Sequence, residues 1–132
     1  MSRVERFLEK IGELGKGEKD RVKDMILRKI DEKWSKGEFK EKEFLDDRRG
    51  WVVKTVATYV CLLRRDEAYG SWIIEVYVTP DKDIILYKYW QSLSGLVEAE
   101  HTVKQMSLSE FRKLLPKLLK HYTLITYPPY WK

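Results

Sequence analysis

The amino-acid pattern predicts an α+β fold: an N-terminal helical hairpin, a four-stranded antiparallel sheet and a C-terminal amphipathic helix. Three observations carry that expectation. Apolar residues recur at helical spacing between Val4 and Trp34, β-branched runs then follow one another across short polar turns, and a capping-box sequence opens a final amphipathic stripe. At 132 residues, with no linker, repeat or low-complexity tract, the chain is expected to form a single domain over 1–132.

Val4, Phe7, Leu8, Ile11 and Leu14 mark the first helix, with Ser2 as its N-cap and Gly15 as its stop. Lys16-Gly17 reads as a break. A second helix runs from Glu18 to Ser35 on a stripe of Val22, Met25, Ile26, Ile30 and Trp34, and Gly37 closes it. Both helices are amphipathic enough to pair as an antiparallel hairpin, each needing a partner surface. Glu38 to Arg49, nearly all charge around Phe39, Phe44 and Leu45, reads as a short third helix or a helical extension ending at Gly50.

Trp51–Leu63 is the stretch around which the rest is organised. Both of its alternating residue sets are mostly apolar, as in a central strand covered on two faces, so Val56 and Val60 are expected in the core beside Ile74 and Val76. Trp72–Thr79, Ile84–Gln91 and Leu96–Gln105 supply three further strands across short turns, which favours a meander. A winged helix ranks second, because the hairpin strands are too long and too apolar for a solvated wing. Ser107-Leu108-Ser109-Glu110 has capping-box spacing before the stripe Leu108, Phe111, Leu114, Leu115, Leu118, Leu119. Pro116 inside that helix predicts a kink or a restart. Thr123–Tyr127 can add a fifth strand beside Trp51–Leu63.

Composition narrows the chemistry. Cys61 is the single cysteine, which excludes an internal disulfide and a multi-cysteine zinc site. No apolar run reaches the roughly 18 residues of a membrane span, and a cytoplasmic protein is the expectation. The chain has no Asn, two Gln and 36% charged residues, a pattern of hyperthermophile proteins that points to an archaeal or viral source. Net charge is +5, and residues 107–132 hold 5 Lys+Arg against 1 Asp+Glu. An excess of that kind permits nucleic-acid binding.

No phosphate-binding glycine loop, paired-histidine zinc motif or nucleophile elbow is present. The sequence implies no cofactor and no metal. Glu98 and Glu100, two apart on a strand with Lys104 beyond them, are the catalytic candidates, since two carboxylates and a lysine on one face suit a metal-dependent nuclease. Asp81 and Asp83 would join them if the strands align. The same residues also serve an exposed sheet edge.

Aromatics make up 13% of the chain. With an odd-length loop between the second and third strands, Trp72, Ile74, Val76, Val78, Ile84, Leu86 and Trp90 share a core face with Lys88 out of place. Tyr77, Tyr87 and Tyr89 then line the opposite face, where they would stack on bases or be covered. With an even-length loop Glu75 faces Lys88 instead. Lys113, Lys117 and Lys120, flanked by Arg112, form a basic ridge suited to successive phosphates, and equally to a helix C-terminus. Tyr127, Tyr130 and Trp131 in the proline-stiffened tail suit a protein partner.

The expected function is therefore a small non-enzymatic binding protein contacting nucleic acid, or an assembly that processes it, through the basic helix and the sheet tyrosines. The alternatives are a protein–protein adaptor or homodimer module, and a metal-dependent nuclease. No membrane partner is expected.

Overall fold

The computed structural model describes the backbone of residues 3–126 and the side chains of residues 17–126. Its elements run α1 (Arg3–Lys36), β1 (Lys40–Asp46), β2 (Trp51–Glu67), β3 (Gly70–Val78), β4 (Ile84–Ser92), β5 (Glu98–Met106), α2 (Leu108–Leu119) and β6 (Thr123–Ile125). The α+β class stands. Among the described residues, two helices accompany a six-stranded antiparallel sheet that curls nearly into a barrel.

The N-terminal hairpin is corrected to one continuous helix of 34 residues. Gly17 does not break it. Glycine inside a helix costs only about 1 kcal/mol relative to alanine, and good helix formers surround it. The real stop is Gly37, whose φ of 66° turns the chain into the left-handed region. The expected third helix is also corrected, because Lys40–Asp46 is strand β1. Its alternating burial turns Phe44 and Asp46 inward while Glu43 and Leu45 face out. Asp46 then shapes the turn into β2: its backbone carbonyl accepts from Gly50 N–H and its carboxylate from Arg48 N–H.

β2 is shared between neighbours. Trp51–Ala57 pairs with β1, Thr58–Glu67 pairs with β3, and Leu62–Arg64 also pairs with β6 on the opposite edge. The fifth-strand expectation for the segment after α2 therefore holds over Thr123–Ile125. The central-strand reading holds only for the second half. Val60 and Leu63 are fully buried, whereas Trp51, Val52 and Val56 stay exposed. Val56 is thus removed from the expected core, because only β1 pairs with that part of the strand.

The five residues between Val78 and Ile84 set the odd-loop register, with Ile74 opposite Lys88 and Glu75 opposite Tyr87. Ile74, Val76, Val78, Ile84 and Leu86 face the helices, where Ile26 and Ile30 of α1 and Phe111 and Leu115 of α2 cover them. Lys88, the misfit on that face, lies over the Trp72 ring at 4.8 Å from its centroid. The other face is the barrel interior, closed by Phe44, Ala57, Tyr77 and Ile85. α2 begins as expected, with Ser107 Oγ accepting from Glu110 N–H. It continues past Pro116, which is exposed and removes one bond of the helical ladder. No described helix is long and apolar enough to cross a membrane.

Candidate nucleic-acid interface

The packing of α1 against α2 builds a basic groove that neither helix forms alone. α2 buries Phe111, Leu115 and Leu119 and leaves Arg112, Lys113, Lys117 and Lys120 in solvent. Lys120 shares a depression of about 350 Å³ with Lys19, Asp20 and Lys23 of α1, floored by Pro116 and Leu119. That depression opens into a groove of about 560 Å³ between α1 and the α2–β6 segment, with Lys19 and Leu119 common to both. Val22, Met25, Tyr122 and Leu124 continue the apolar floor.

Several cations elsewhere on the surface are held by acidic neighbours. Lys36, Lys54, Lys82, Arg49, Arg64 and Arg65 each lie within 4 Å of a carboxylate. Among the described residues, Lys19, Lys23, Lys113, Lys117 and Lys120 have no such pair. Their ammonium groups are open to an external anion. Lys19 and Lys23 did not figure among the sequence candidates. They repeat the four-residue spacing of Lys113 and Lys117, but nothing in the sequence says that the two helices are neighbours.

The sheet tyrosines fall elsewhere. Tyr77 and Tyr89 are only 4% and 7% exposed, and Tyr87 is half-buried, so they line the barrel interior and offer no open stacking platform. The reason is β1, whose Phe44 packs edge-on to Tyr77 and tilted against Tyr87. Their hydroxyls serve the fold. Tyr77 and Tyr89 both donate to the buried Glu75 carboxylate, Tyr89 at 2.7 Å. Desolvation together with that carboxylate pushes both phenols upward. Tyr87 hydrogen-bonds His101 Nδ1 and takes a backbone bond from Leu45, and its phenol is pushed up to about 12, chiefly by burial.

The carboxylates do not assemble as expected. Between Ala99 and Thr102 two residues, Glu100 and His101, face the single Tyr89, a bulge in which Glu100 adopts φ 55°. The bulge breaks the alternation that would align Glu98 with Glu100. Glu98 turns to His101 Nε2 at 3.8 Å, while Glu100 lines a cleft of about 340 Å³ with Arg48, Trp72 and Lys88. Lys104 sits farther along β5, exposed and opposite Leu86. Asp83 accepts from Gln105. Among the described residues no three His, Cys, Asp or Glu side chains are grouped to hold a metal ion. Tyr127, Tyr130 and Trp131 lie outside the described residues.

Compared with protein-family models, curated proteins and solved structures, the chain matches none.

Proposed function

We propose that the protein binds nucleic acid through the lysine-walled groove between α1 and α2, as a binding protein rather than a catalyst. The observation that carries this reading is the convergence of Lys19 and Lys23 with Lys120, in line with Lys113 and Lys117, none held by a described carboxylate. Phosphate contacts of this kind position a polyanion without reading its sequence. The sheet tyrosines take no part in binding; their place in the reading passes to Lys19 and Lys23 of α1.

The test is anisotropy titration of labelled oligonucleotides at several salt concentrations. Five contacts, at about −0.7 each for a single strand, predict a log–log slope near −3.5. Replacing the five lysines by Gln keeps helix propensity and should flatten the slope for every sequence alike. A salt-independent or lysine-independent response would retire the proposal.

A second reading has its own observation. Leu45, Val52 and Val56 are 47%, 45% and 45% exposed on one face of the β1–β2 hairpin, where Leu45 stands opposite Val52. Large apolar side chains gathered on one surface favour a protein contact, with a homodimer the simplest form. Sedimentation of the wild type against Val56→Lys checks it: a dimer that the substitution dissociates supports the reading, and a monomer at high concentration removes it.

A further inference from the structure

The groove is basic on its walls and apolar along its floor, and that combination discriminates between forms of nucleic acid. We infer that its ligand is single-stranded, with phosphates on the lysines and unpaired bases against the floor. This inference rests on the reading of the lysines as a phosphate track.

Two features carry it. The first is the floor itself. Met25 is 47% exposed there, beside Val22, Leu119 and Leu124. A single strand turns its bases outward and buries that surface, whereas a duplex hides its base faces in the stack. The second is the remaining polar lining. Arg21 and Glu18 border the same groove. A guanidinium plane is a stacking surface for an unpaired base, and a carboxylate accepts from an exocyclic amino group that pairing would otherwise occupy. Against a duplex Glu18 and Asp20 would face only phosphate and repel it.

The experiment compares a labelled mixed-sequence 15-mer, its duplex form and heparin, using the full chain at fixed salt. Single strand should bind at least about tenfold tighter than duplex, since base contacts of this type contribute roughly 1–3 kcal/mol each. Met25→Gln, an uncharged change on an exposed helical position, should weaken single-strand binding about threefold or more. It should leave heparin binding and the helical circular dichroism unmoved. Duplex binding equal to or tighter than single-strand binding would overturn the inference while leaving the polyanion reading intact. Equal weakening of all three ligands by Met25→Gln would overturn it too. Failure of all three ligands to bind would overturn both, as would binding only to a synthetic peptide of alternating Glu and Leu.

Discussion

Asp47 and His101 join the strands at the two ends of the sheet order. Asp47 N–H donates to the His101 carbonyl at 2.8 Å, and His101 N–H donates back to the Asp47 carboxylate at 2.7 Å. β1 and β5 share no ladder, so this exchange, with the Leu45 bond to Tyr87 of β4, closes the barrel where no strand pairing does. The bulge at Glu100 supports it by bringing His101 to face the turn after β1. Asp47→Ala removes one charged acceptor and should cost about 1–3 kcal/mol, whereas Asp47→Asn keeps an oxygen and should cost less. Urea midpoints of the two variants check this, and equal losses would show that the seam does not depend on the acceptor.

The Glu75 cluster predicts non-additive stability. Tyr77→Phe or Tyr89→Phe takes a donor from a buried carboxylate and should destabilise by roughly 1–3 kcal/mol. Adding Glu75→Leu to the double phenylalanine variant removes the charge and its need for donors together. That triple variant should be more stable than the double one, and a double-mutant cycle by chemical denaturation reads the coupling.

Positions four apart on β2 should respond in opposite ways to charge. Val60 is 0% exposed and Val56 is 45% exposed. Val60→Asp buries an unpaired carboxylate and should abolish folding, while Val56→Asp should leave the circular dichroism and melting cooperativity intact.

Alkaline pH should weaken the fold through Cys61. Burial raises its thiol from 9.0 to about 12. The unfolded chain therefore releases this proton first, so the associated stability is full below about pH 9 and is lost as pH rises towards 12. The buried Tyr77 and Tyr89 phenols, also raised, add the same sign of loss from about pH 10 upward. Cys61→Ala carries a constant packing cost at neutral pH. Its urea midpoint should approach that of the wild type between about pH 9 and 11, and a constant gap over that range would contradict the assignment.

Local chemistry alone was enough to read several elements from the sequence. The Ser107 cap, the stop at Gly37 and the Val60–Leu63 part of β2 each depend on residues close in the chain. The β3–β4 register followed once the loop length was known, because a period of two admits only two answers and the one found leaves Lys88 on the core face. Tertiary structure decided the rest. Lys40–Asp46 alternates charges in a way that suits a helix surface or a strand equally, and only pairing with Trp51–Ala57 and burial of Phe44 select the strand. That same choice turned the tyrosine face from an open platform into a barrel interior. Lys19 and Lys23 stand far along the chain from Lys120, and no local preference relates them. Their convergence follows from two apolar stripes, Ile26 and Ile30 on one helix and Phe111 and Leu115 on the other, burying themselves against one face of the same sheet.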